Sequence, residues 1–442
     1  MLVYNEEYQE KNTASKREFQ SVFVSMHFAE EVTLFDLNRI KGYKLLEEAF
    51  ADNGTPFGGV SSNEFVVTLD NSDNAFTPEH PNQIYEVKPG MRVEAVAYAS
   101  EGSATIELGT YYTGEWTRQG TDISVTCYDS LQATLSRTTM ELTPAYPSTT
   151  TTHMLTKLFD GLGIEEYYID EEIARPLRFG WLRAGTFERS LQELCEASRA
   201  FAFIDRFGVL KVVPFKAGEE VLTITDDDMF NLNIPQRILD THTRARVGYR
   251  LMYIKQPREA LRIDEIRIPA GISEQVIELG SEDIPMLEIQ NITVDTDDTV
   301  TIQSYQYGAS MIKVKFNNTG GSKTIALLIN GISGGSHTSS VTATNNIELY
   351  GDRELTVFNP NIQDRETATS YANELVAYTS DALVRIEVEF RGDLALELGD
   401  TVRIQSTRWQ TDLKGIVVRI EHDFDGSLSG RLVLTRVREV VS

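Results

Sequence analysis

The residues of this 442-residue chain best suited to chemistry are its acids, and three groups of them are spaced closely enough to act together. Asp70-Asn71-Ser72-Asp73-Asn74 alternates oxygen-bearing side chains as a calcium loop does, because a hard cation needs several oxygens converging from neighbouring positions. The sixth position is Ala75 where that loop requires glycine, and the twelfth is Pro81 in place of a bidentate glutamate. A turn whose Asx side chains bond their own backbone is the competing reading. Asp226-Asp227-Asp228 also resembles a cation site, yet three acids between Thr225 and Met229-Phe230 describe a helix start, where carboxylates meet the positive end of the dipole. Asp295, Asp297 and Asp298 fall between two strand patterns and read as a solvated turn.

The other reactive residue types are dispersed. His27, His80, His153, His242, His337 and His422 form no HExxH and no paired spacing, so each reads as a surface or packing residue. Cys127 and Cys195 fit no metal or redox spacing and read as small buried hydrophobes. There is no GxSxG elbow, no phosphate-cradling GxxxxGK[ST] or GxGxxG in strand-to-helix context, and nothing that singles out a catalytic pair among 66 acids. The chain is therefore read as non-enzymatic, with no catalytic, cofactor-binding or metal-ligating residue and no cofactor assigned.

Forty-one basic residues against 66 acids give a formal charge of −25, and no stretch gathers Lys and Arg into a phosphate-neutralising patch. Specific nucleic-acid binding is disfavoured, although an acidic surface suits a polymer that must pass without sticking. No apolar run approaches the roughly 20 residues that span a bilayer, and the N-terminus MLVYNEEYQEKN lacks a signal-peptide pattern, so synthesis and retention in the cytoplasm are expected.

Elements must position these residues, and the length calls for three or four compact units. After a polar arm to about Arg17, strand patterns run over Phe19–Phe28, Glu64–Leu69, Arg92–Ala97, Ala104–Tyr112 and Asp122–Cys127, giving a first β unit over 1–145. The spacing of Met154, Leu155, Leu158, Phe159 and Leu162 predicts a helix, as does that of Leu191, Leu194, Cys195 and Ala197 after Thr186, a cap with only half a capping box. A hairpin turning at Asp205-Arg206-Phe207-Gly208 follows, and 146–215 reads as a small α/β unit. Strands resume from Val221 to Arg250. A region over 257–358 is strand-like with no helix signal, then helical spacing returns over Asp364–Ala382 before four last strand patterns. The simplest organisation is a second β unit formed by 216–256 with 359–442 and interrupted by the insertion 257–358.

Four segments in order resemble the tail hub, or baseplate hub, proteins of phages and contractile injection systems. They are Glu64–Asn71 running to Phe76-Thr77-Pro78 and Val87-Lys88-Pro89-Gly90-Met91-Arg92-Val93; Ile106–Tyr112 followed by Ile123–Leu131; Leu191–Leu194 through Ala200–Leu210; and Tyr350–Glu354 with Asn359-Pro360, Leu394–Val402 and Ile420–Gly426. The order "YG-x-(R/K)-E, helix, LELGD-x-V, I-x-H-x-F-x-G" in the last is the most specific part. The insertion 257–358 lies outside the resemblance.

The resemblance implies a mostly β (α+β) fold: two tail-tube-like β-barrel domains, a small α/β domain and an inserted, β-sandwich-like domain. It implies a homotrimer closing a pseudo-sixfold ring that continues the tail tube in the virion, at the tail tip, after assembly in the host cytoplasm. Implied partners are a distal tail or baseplate ring protein, the tape measure protein, and tail fibre or receptor-binding proteins. DNA or another cargo would pass through the lumen without specific binding, and no membrane span is expected. Alternatives are a distal tail or adhesin-type component with a glycan-binding β domain, and a carbohydrate-active enzyme.

Overall fold

Alternation of apolar and polar residues decides which side of each strand is buried. Val22, Val24 and Met26 of Ser21–His27 turn inward, as do Phe65, Val67 and Leu69 of Glu64–Asp70, and Ile123, Val125 and Cys127 of Asp122–Tyr128. A computed structural model of the chain describes residues 21–437 apart from 30, 50–54, 99–104, 134, 136–138, 141, 184, 236–240, 256–257, 280–284, 296–298 and 382–384.

Among the described residues, thirteen strands join in one sheet. It begins with Val32–Phe35 and passes through Ser21–His27, Arg92–Tyr98, Thr105–Gln119, Asp122–Tyr128, Glu64–Asp70 and Ile40–Glu48. It continues through Thr411–Phe424, Leu428–Val437 and Arg385–Phe390 to Met229–Asn233, with Thr401–Ser406 and Glu220–Ile224 attached beside Thr411–Phe424. The first seven strands wrap one core: Val22 and Phe35 from one end share it with Tyr43 and Leu45 from the other. The remaining six enclose a second core, containing Ile224, Met229, Val388, Val402, Ile416 and Leu432, which the helix Arg365–Thr379 covers with Ala368, Tyr371, Ala372 and Leu375. The fold is thus mostly β, as expected.

Thr411–Phe424 joins the halves. Along one edge it pairs with Leu428–Val437; along the other its start pairs with Thr401–Ser406 and its end, from Arg419 to Phe424, with Tyr43–Glu48.

The small α/β unit has the expected helices, Thr151–Leu162 and Phe187–Ser198. Thr150 and Thr186 cap them by accepting the amides of His153 and Arg189, each at 3.2 Å. The hairpin Ala200–Ile204 with Leu210–Pro214 packs against the helices through Ala200, Ala202 and Leu210.

Two local expectations are corrected. Asp226-Asp227-Asp228 begin no helix: they turn between Glu220–Ile224 and Met229–Asn233, because Met229–Asn233 pairs with Arg385–Phe390. The stretch 257–358 is not free of helix, since Ile347–Tyr350 makes a single turn. Asp297 and Asp298 lie outside the described residues, while Asp295 accepts from Arg262 at 2.7 Å.

Most of the insertion is a sandwich of two three-stranded sheets, and the long strand Lys323–Thr344 leads out of it. The first half of that strand pairs with Arg258–Ile268 and Met286–Asp295, and its second half, from Gly334, pairs with Arg244–Ile254. Glu354–Phe358 lies parallel to Arg244–Gly248 on the other side. The amide of Lys255 donates to the Ser333 carbonyl at 3.0 Å, so these two residues are neighbours.

Replacing 256–332 by an Asn-Gly turn should therefore close a plain hairpin and leave a cooperatively folded protein by circular dichroism and thermal melting. Excising 257–358 instead removes the strands on both sides of Arg244–Ile254, and that variant should fail to give soluble folded protein.

Candidate functional site

Arg206 has almost no exposed side-chain surface, and it sits where three units meet. Its turn is set locally. Asp205 accepts the amides of Phe207 and Val209, both at 2.9 Å, and Gly208 takes a φ of 84°, which favours glycine. So aimed, Arg206 forms a two-pronged pair with Glu47 of the first half-barrel, at 2.7 and 3.1 Å, and donates to the carbonyls of Leu394 and Leu396 beside the second. Lys211 of the same hairpin bridges Asp205 at 3.0 Å and Glu397 at 3.3 Å. Asn63 donates to the Ile204 carbonyl at 2.8 Å, and the Asp129 carboxylate accepts the amides of Asn63 and Gln132. This is a structural lock, because each charge faces a fixed partner and none faces a cavity.

The exposed face of the large sheet carries a second pattern. Seven cations on it have a carboxylate close by: Lys41, Lys44, Arg92, Arg385, Arg403, Arg419 and Arg431 lie within 3.4 Å of Asp70, Asp423, Glu94, Glu387, Asp412, Glu48 and Glu387 in turn. Lys414, the register partner of Arg403, lies on the same face. Lys44–Asp423 and Arg419–Glu48 cross from one half-barrel to the other, so the two exposed faces are one. Acids exceed bases on it: Glu64 titrates above its usual range through burial and the nearby Glu115, and Glu107 through burial and Glu94.

Two of the sheet's three terminal strands form the third feature, the other being Glu220–Ile224, which pairs with Thr401–Ser406. Val32–Phe35 exposes Val32 by 58% and Leu34 by 60%, and Met229–Asn233 exposes Phe230 by 61%. Unpaired strand edges with apolar side chains invite another strand or another copy.

The residues singled out in the sequence are not brought together. In the Asp70 loop, Ser72 donates to Asp70, Ala75 to Asp73 and Phe76 to Asn71 at 2.9 to 3.1 Å, so these side chains bond their own backbone. Asp226 accepts from Ser406, Thr407 and the Arg408 amide, which lower its carboxyl to about 2. Cys127 and Cys195 are buried; burial pushes the Cys127 thiol up to about 12 and raises that of Cys195 as well. His422 is buried in Thr411–Phe424, His337 stacks on Tyr253 and His27 lies 3.4 Å from Glu94. Among the described residues no cluster of three or more His, Cys, Asp or Glu is arranged to hold a metal. No helix there is long and apolar enough to cross a membrane.

No family model and no curated protein sequence matches the chain. Its fold is nevertheless similar to solved tail proteins. The 43 kDa tail protein of prophage MuSo2 from Shewanella oneidensis superposes with a TM-score of 0.56 at 10% identity, over 94% of this chain and 98% of that one. The tail protein from Neisseria meningitidis MC58 gives 0.54 at 10% identity, over 94% and 96%. The mostly β fold implied by the four motifs is thus one that solved tail proteins share.

Two outcomes follow from the junction. Arg206→Ala leaves Glu47 buried without its partner and should cost about 3–5 kcal/mol in denaturant unfolding, whereas the double change Glu47→Leu with Arg206→Met should recover most of the loss. Burial raises the Asp129 carboxyl from 3.8 to about 6, so the folded state favours the protonated form. Its contribution to stability therefore grows as pH falls from about 6 toward about 4, and Asp129→Asn should flatten that part of the stability curve measured by urea titration.

Proposed function

We propose that this chain is a non-enzymatic structural hub at the tip of a phage tail or a related injection particle, where three copies close a ring that continues the tail tube. The observation that carries this reading is the thirteen-stranded sheet with two half-barrels, whose opposite ends both present apolar residues on open edges. Head-to-tail contact between Val32–Phe35 of one copy and the Met229–Asn233 end of the next covers both edges, and three copies carry six half-barrels. The likeness to two tail proteins over nearly the whole chain supports the same reading.

In this assembly the exposed face of the sheet lines the channel. Most cations on this face are matched to carboxylates and offer little free charge to a phosphate backbone, and the surplus acids repel it over about 10 Å at ordinary salt. DNA or another cargo slides past a non-stick wall. The units 1–145 and 216–256 with 359–442 serve as the tube-like domains and 146–215 braces them, while the sandwich within the insertion 257–358 projects outward. The ring joins a distal tail or baseplate ring, the tape measure protein and fibre or receptor-binding proteins at the virion's tail tip, after assembly in host cytoplasm.

Light scattering on the purified chain, alone and with its tail partners, should give a trimer of 49.7 kDa subunits. Leu34→Lys with Phe230→Lys should leave folded monomers. A strict monomer in both settings, or a stable hexamer, overturns the hub. The trimer should show no DNA retention at physiological salt, and Glu389→Lys with Glu421→Lys and Asp423→Lys should create retention that weakens steeply as salt rises.

A further inference from the structure

We propose that the strand Val300–Tyr307 is a docking edge on which an extended, uncharged segment of another tail protein adds as a fourth strand. The inference rests on the reading that the chain works inside an assembled tail.

The inserted sandwich has four edge strands among the described residues, and they differ. Arg258–Ile268 carries Arg258, Glu259, Arg262, Asp264, Glu265 and Arg267 and two register shifts; Met286–Asp295 carries Glu288 and Asp295 and two shifts. Gly271–Glu278 is regular but carries Glu274 and Glu278. Charges and irregularities of this kind are how proteins keep sheet edges from recruiting other strands.

Val300–Tyr307 reads VTIQSYQY, with no charge, no proline and no glycine, in a chain of net charge −25. Its one register shift lies between Ile302 and Ser304. Beyond it Ser304–Tyr307 is exposed on both faces, with Tyr305 39% and Tyr307 37% exposed, and it pairs on one side only, with Met311–Asn318. An edge strand turns alternate N–H and C=O groups away from its neighbour, and a chain in the same extended conformation complements them. The composition selects the kind of chain. Tyrosines at alternate positions, with ring centroids 6.5 Å apart, favour aromatic or β-branched residues opposite, and the edge strand itself offers no counter-charge.

The edge is also held still. Just past Tyr307, the Ala309 amide donates to the Thr143 carbonyl and its carbonyl accepts from Met286, both at 2.7 Å. Ala309 is buried with Phe179, Trp181 and Met252, where insertion and body meet. At Gly308 a Cβ would fall within 2.8 Å of the backbone of Leu142 and Thr143, so the strand's end is packed directly on the segment that leads into the small α/β unit. A preformed strand on a fixed anchor spares the incoming segment much of the ordering cost of binding.

The test is amide hydrogen exchange over 300–307 in the full chain, free and within assembled tails. Exchange should slow at least tenfold in tails. The variant Ser304→Glu with Gln306→Glu adds charges whose register partners are Lys315 and Lys313, so it should melt like the parent while its incorporation into tails falls about tenfold. Equal exchange in both settings, or full incorporation of the variant, overturns the proposal. So does protection in the free chain that grows with protein concentration, which would assign the edge to a second copy. So does protection by neutral oligosaccharides such as maltohexaose or chitohexaose. A chain absent from tails by mass spectrometry would remove the hub reading itself, while a chain present but unprotected removes only this proposal.

Discussion

A guanidinium taken out of water is tolerable only where its donors find acceptors, and Arg206 makes four such bonds to two distant places in the chain: the Glu47 carboxylate, and the carbonyls of Leu394 and Leu396. None of the three units satisfies it alone. The pair therefore does less to strengthen the fold than to fix one arrangement of its parts, because any slippage of the hairpin leaves charge buried without a partner. The surroundings add to that demand: Tyr43 and Tyr111 lie within the field of the same arginine, and burial raises both phenols well above their ordinary range. The hairpin in turn seats the small α/β unit against both half-barrels.

The second constraint is the shared strand. Thr411–Phe424 pairs with Tyr43–Glu48 as well as with its own half; its register shifts between Val417 and Arg419, and from Arg419 on its polar and apolar residues alternate in phase with Tyr43–Glu48. His422 and Phe424 face inward with Tyr43 and Leu45; Glu421 and Asp423 face outward with Lys44. A one-residue slip between Arg419–Phe424 and Tyr43–Glu48 would separate Lys44 from Asp423 and Arg419 from Glu48.

Much of this was legible in the sequence because the signals are short-range. Alternation marked Ser21–His27 and Glu64–Asp70, and apolar spacing marked two helices, the second with Thr186 before it. What failed depended on distant partners. Thr225 followed by three acids has the local chemistry of a helix cap, yet Met229–Asn233 is claimed by Arg385–Phe390, more than 150 residues on. The strand Lys323–Thr344 has no local feature at Gly334 to say that it changes neighbours there. Arg206 was visible only as part of a turn, since its partner Glu47 is 159 residues away. Periodicity also reports which face of a strand is buried but not whether a strand is the last in its sheet, so the exposed ends at Leu34 and Phe230 had no signature. The four motifs supplied the fold because their order spans the chain, which no single one does.

The shared strand also has a mechanical meaning. Within one chain the angle between half-barrels is set by backbone hydrogen bonds along Arg419–Phe424 and locked by the bridges Lys44–Asp423 and Arg419–Glu48. Bending there would tear a continuous ladder. In the proposed ring of three chains that stiffness would recur at three positions, and strain delivered from outside would gather at the three seams between chains, so that dilation of the bore would begin with threefold rather than sixfold symmetry.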